Sequence, residues 1–115
     1  MSNRVYVLAQ FKPKAGQEEA LFEVLKALEP DSLREEGCVQ YMLTRQIDHP
    51  SASRNEFPIV FNEIWQSAEA WSAHGRRAQI QAFFATHVEA DTGLVDDVMV
   101  TAYTDEGHQY DKPIY

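Results

Sequence analysis

The 115-residue sequence predicts a single domain of the α+β class. Three observations predict it. Apolar residues alternate at period two in four stretches, they recur at spacings of three and four in two others, and the six follow the order strand, helix, strand, strand, helix, strand. The chain is too short for two ordinary domains. With 44% hydrophobic residues it can build a core without disulfides, and its one cysteine, Cys38, has no partner within the chain.

"RVYVLAQFK" (Arg4 to Lys12) is rich in β-branched and aromatic residues and sets Val5, Val7, Ala9 and Phe11 on one side, as a strand does. "PKAG" breaks it. In "QEEALFEVLKALEP", Glu18 and Glu19 occupy a first helical turn, where the helix dipole favours acids, and Leu21, Val24, Leu25 and Leu28 form one apolar stripe. Pro30 ends or kinks this helix, with room in "DSLREE" for another turn before Gly37. "VQYMLTRQI" (Val39 to Ile47) predicts a second strand with Val39, Tyr41 and Leu43 on one side. "IVFNEIWQ" (Ile59 to Gln66) predicts a third, paired with the second across the polar loop "DHPSASRNEFP". Ser67 is placed to cap a second helix that begins at "AEAW". Gly75 weakens or divides that helix, and Ile80, Phe83, Phe84, His87 and Val88 keep helical spacing until Gly93. "LVDDVMVTAY" (Leu94 to Tyr103) is the fourth strand. Residues 1–104 are thus expected to form the domain and residues 105–115 a tail that packs on a partner subunit.

This order is the split βαβ arrangement of the ferredoxin-like fold, with helices on one face of a four-stranded antiparallel sheet. The other face would carry Tyr6, Leu8, Met42 and Ile64, an apolar surface that calls for a cover. A second copy of the sheet is the economical one, so a symmetric homodimer is expected.

A net charge of −8 argues against a nucleic-acid partner, because phosphate binding needs a basic footprint. The Arg76-Arg77 pair reads as a solvated helix surface. No apolar run approaches the roughly 20 residues that span a bilayer, and no secretory leader is evident, so no membrane partner and a cytoplasmic setting are expected. There is no Gly-rich phosphate loop, no H-E-x-x-H and no paired-cysteine spacing. His49, His74, His87 and His108 lie far apart along the chain, and no metal is expected.

The segments "FKPKAGQEEALFEVLKAL", "EEGCVQY" and "NEIWQSAEAWSAHGRRAQIQAF" together resemble the antibiotic biosynthesis monooxygenase superfamily, specifically its small quinol-monooxygenase-type members. The resemblance implies a dimeric α+β barrel that oxidises a quinol or polyphenol-type aromatic with O2 and requires no cofactor. Relatives that isomerise small carbonyl compounds or degrade haem, and a non-catalytic ligand-binding or stress role, are the alternatives. Many relatives carry a second histidine a few residues after the "AH"; here Gln79 stands in that place.

In this chemistry the substrate supplies the electrons once it has lost a phenolic proton. His74 is the candidate base, since a neutral imidazole accepts a proton near pH 7. Asn62 is a candidate to position a hydroxyl and Tyr41 to donate to an oxyanion. Trp65, Trp71, Phe83 and Glu63 are the candidate substrate-binding residues, each with a core or structural role as the competing explanation. Strict alternation puts Asn62 on the opposite face from Glu63 and Trp65, so one cleft holds all three only if a bulge intervenes.

Overall fold

The computed structural model describes residues 3–106. Nine-residue β1 (Val5–Pro13) leads through a turn at Gly16 into α1 (Glu18–Lys26) and the short α2 (Glu29–Leu33), followed by β2 (Cys38–Arg45) and β3 (Ile59–Trp65). Then come α3 (Ala68–Arg76), α4 (Ala78–Phe83), a π-helical segment (Phe84–Glu89) and β4 (Val95–Thr104). The strands form one antiparallel sheet in the order β2-β3-β1-β4. This is the predicted ferredoxin-like topology.

The predicted alternation sorts the side chains. Val7, Ala9 and Phe11 of β1, Tyr41 and Leu43 of β2, and Ile59, Phe61 and Trp65 of β3 are buried beneath the helices. Leu21 and Leu25 of α1 and Ile80 and Phe83 of α4 close the core from above. On the opposite face the register aligns Tyr6 with Ile64 and Tyr103, Leu8 with Asn62 and Thr101, and Met42 with Asn62. Helices leave this second face open, and Met42, Met99 and Tyr103 are exposed on it.

Two local departures have physical causes. Val39 was expected to face inward with Tyr41, but the β2–β3 register shifts between Cys38 and Gln40, leaving Val39 as the extra, exposed residue. Pro30 divides the helix as expected: α1 ends at Lys26, whose carbonyl a proline four residues on cannot bond, and Pro30 sits in the first turn of the short α2. The helix after Ser67 breaks at Arg77, in extended backbone, rather than at Gly75. Ser67 caps α3 as expected, its hydroxyl accepting from the Ala70 N–H at 3.1 Å.

Gly37 is required by packing. A Cβ on Gly37 would collide with Cβ of Ala70, so this residue lets α3 settle onto the start of β2. The chain path beyond Glu106, including His108 and nearly all of the expected tail, lies outside the described residues.

Candidate active site

Between the sheet and the helices lies a cavity of about 330 Å³. Its walls are mostly apolar, with Phe11, Phe61, Leu25, Ile80 and Phe83 among them, and three side chains bring proton chemistry into it: Tyr41, Glu63 and His74. Apolar walls with a few convergent polar groups are the usual make-up of a small-molecule site.

The topology delivers each of the three. Tyr41 and Glu63 are direct cross-strand partners on β2 and β3, side by side on the helix-facing surface. His74 comes from the last turn of α3 and is 5% exposed. Its ring lies 4.6 Å from the Trp65 ring and 5.2 Å from that of Tyr41, centroid to centroid.

Nδ1 of His74 stands 2.7 Å from Oε2 of Glu35, at the end of the loop that leads into β2. Since the carboxylate can only accept, Nδ1 carries the proton and Nε2 is left as the basic nitrogen. Among the described residues no hydrogen bond is made to Nε2. The same Glu35 oxygen accepts from Arg77 at 2.7 Å, and Arg77 also donates to Oε1 of Gln79 at 2.9 Å. Glu35 therefore joins the break between α3 and α4 to the imidazole.

Burial holds His74 below its ordinary value of 6.5; the contacts with Glu35 oppose this and the Arg77 guanidinium adds to it. The imidazole is thus neutral at pH 7. Burial pushes the Glu63 carboxyl up to about 7, against the Trp65 indole N–H, which donates to its Oε1 at 2.9 Å; Glu35 adds to the rise. Burial, then the Glu63 charge, push the Tyr41 hydroxyl upward, while a hydrogen bond with Ser32 opposes them. Tyr41 is consequently a neutral donor and not a base. Burial takes Cys38 up to about 11, which leaves it a packed thiol of low reactivity.

The structure brings together His74, Tyr41, Glu63, Trp71 and Phe83 of the candidate residues. It does not bring Asn62 there. The β2 bulge falls before Tyr41 and leaves the alternation of β3 intact, so Asn62 faces the open side of the sheet, where its Nδ2 donates to Oγ1 of Thr44 at 2.8 Å. A catalytic Asn62 acting with His74 is incompatible with that placement. Trp65 is likewise not on the cavity surface. Fully buried, it backs both His74 and Glu63 from behind.

Two contributors escaped the sequence reading. Glu35 is 39 residues from His74 in the chain, and no local spacing links them. A solvated helix surface describes Arg76 but not its half-buried neighbour Arg77. Among the described residues, no group of three or more His, Cys, Asp or Glu side chains could hold a metal ion, and no helix is long and apolar enough to cross a membrane.

The fold and this cavity define a small α+β protein of the ferredoxin-like type with three titratable side chains lining a cavity under its helices. The sequence profile of the antibiotic biosynthesis monooxygenase family matches residues 4–86, and the chain belongs to that family. A Shewanella oneidensis protein of known structure is 30% identical, with a TM-score of 0.72 over 90% of this chain and 92% of its own. A Nitrosomonas europaea protein described as a candidate antibiotic biosynthesis monooxygenase is 15% identical, with a TM-score of 0.75 over 98% and 97%. A Bacteroides thetaiotaomicron protein described as a candidate oxidoreductase is 24% identical, with a TM-score of 0.63 over 89% and 95%. The last two likenesses speak to fold alone. No curated protein matches the chain significantly.

Proposed function

We propose that the protein is a monooxygenase that oxidises a quinol or polyphenol-type aromatic with O2, using His74 as its base. The observation that carries this reading is the His74–Glu35 contact at 2.7 Å, which turns Nε2 of a neutral imidazole into the basic group of an apolar cavity. Family membership supports the reaction class.

The steps follow from the acidity of phenols. A phenol with pKa near 10 is a poor reductant until it is deprotonated. Nε2 takes the phenolic proton, and Glu35 and the imidazolium it contacts form a favourable ion pair. The phenolate passes one electron to O2, and the substrate radical and superoxide recombine to form a C–O bond at a ring carbon bearing hydrogen. Imidazolium protonates the peroxide. Neutral His74 then takes the ring C–H proton as the O–O bond breaks and the carbonyl forms, and it returns that proton to the departing hydroxide. One O2 oxygen ends in the product and the other in water. Tyr41 is available to donate to the phenolate oxygen, and the apolar walls exclude water that would stabilise the anion without directing it.

The apolar lining also weighs against the isomerase alternative, since a phosphorylated carbonyl compound would need cationic or backbone donors inside the cavity. We further infer a homodimer in which a second sheet covers the open face that carries Met42, Met99 and Tyr103.

The test is oxygen uptake by the purified protein over a panel of one- and two-ring quinols, repeated with labelled O2. One labelled oxygen in each product molecule and one in water is the expected result. Uptake no faster than buffer across the panel, with or without ligand binding, would rule the reading out.

A further inference from the structure

Glu63 is not needed as the base, yet its carboxyl is held inside the same apolar cavity as His74 and Tyr41. Trp65 occupies one of its two oxygens: the indole N–H donates to Oε1 at 2.9 Å. Among the described residues Oε2 has no partner, and the residue as a whole is 5% exposed. Its cross-strand neighbours are Val7 on β1, which can offer nothing polar from its side chain, and Tyr41 on β2.

We propose that Glu63 is a substrate-binding and specificity residue that acts as a neutral acid, its Oε2–H donating to a second oxygen on the aromatic whose hydroxyl meets His74. It rests on the reading of this cavity as the phenol site, and it says what the substrate's second oxygen meets: a carboxyl that donates to a hydroxyl, ether or carbonyl elsewhere on the ring system.

The chemistry of the surroundings supports a neutral carboxyl. Trp65 supplies one donor, where a buried carboxylate needs two or three to balance the loss of water. The charged or titratable groups near it are Glu35 and His74 on the helix side, with Tyr41 and Cys38 on β2. Glu35 disfavours a second negative charge, and the Arg77 guanidinium is already engaged with Glu35. Both His74 and Glu63 rest against the Trp65 indole, His74 on its face and Glu63 at its N–H edge, so one planar ligand can reach both.

The experiment measures affinity without turnover. Anaerobic calorimetric titration compares size-matched phenols with and without an acceptor oxygen: 2-methoxyphenol against 2-ethylphenol, and 4-methoxyphenol against 4-ethylphenol. At pH 6 wild type is expected to prefer the methoxy member of at least one pair by about tenfold, the worth of one hydrogen bond in a dry site. The preference should disappear by pH 8.5, as the carboxyl ionises and the ether oxygen meets a negative charge. Glu63→Gln, whose amide can accept from Trp65 and still donate, should keep the preference at both pH values; Glu63→Met should lose it at both. Equal affinities within both pairs for wild type at pH 6, or a Glu63→Gln ratio that follows wild type with pH, would overturn the proposal. These binding results are separate from oxygen uptake. Preference without uptake would retain the Glu63 role and discard the monooxygenase reading, and uptake without preference would do the reverse.

Discussion

Burial lowers His74 and raises Glu63, and the two shifts act on different properties: one on activity, the other on stability. The folded protein holds His74 below 6.5, so kcat/KM should rise with pH through a midpoint on the acid side of that value as the base loses its proton. Glu35→Gln removes the carboxylate from Nδ1 and should lower kcat by roughly 10- to 100-fold, the worth of one charge-assisted hydrogen bond. Glu63 gives a stability prediction. Its carboxyl moves from an ordinary 4.5 to about 7, and between these values the folded state binds more proton than the unfolded chain. Stability therefore falls as pH rises through that window, by about 3 kcal/mol at roughly 1.4 kcal/mol per pH unit. Glu63→Gln should be more stable than wild type at pH 8 and close to it at pH 4.5 in denaturant titrations; an equal difference at both pH values would show that the carboxyl is not raised. At this scale the sequence exposed part of the candidate site. His74, Tyr41 and Glu63 could be named from residue type and family pattern. Glu35 could not, because its meeting with His74 is made by the fold and not by any spacing.

The elements were more legible than the residues, and the errors fall at a bulge and at a side-chain ion pair. Strand alternation placed Val7, Phe11, Tyr41 and Leu43 correctly, since a period of two leaves a half-buried strand little choice. Val39 failed because a bulge adds one residue to β2, which alternation cannot foresee. The helix break failed because Gly75 lowers helix propensity by only about 1 kcal/mol, while two residues further on Arg77 leaves helical backbone with its side chain tied to Glu35. Packing of α3 against β2 yields a mutational prediction. Gly37→Ala drives a methyl into Ala70 and should cost about 1–3 kcal/mol in unfolding experiments. Pairing it with Ala70→Gly should recover part of that loss. Additive losses would mean that the two positions do not meet.

For the whole molecule, the two faces of one sheet have different work. The helix face buries the core and the cavity, while the other presents Met42, Met99 and Tyr103 to solvent in a single chain. Analytical ultracentrifugation should find twice the chain mass, and Met42→Glu combined with Met99→Glu should shift it to one chain by placing charges in the covered face. An unchanged mass in the double variant would remove this face as the interface. The topology and the greasy second face were readable from the sequence, and the family resemblance implied a hollow beneath the helices. Its size and exact lining were not readable, because they depend on how helices settle over the sheet. The division of faces also supplies the most direct test of where catalysis happens. Oxygen uptake with the best quinol should fall about 10²- to 10⁴-fold in His74→Ala and stay within about threefold of wild type in Asn62→Ala, whose side chain lies across the sheet from the cavity. A His74→Ala protein that still consumes oxygen at the wild-type rate, or a loss confined to Asn62→Ala, would contradict a reaction centred beneath the helices.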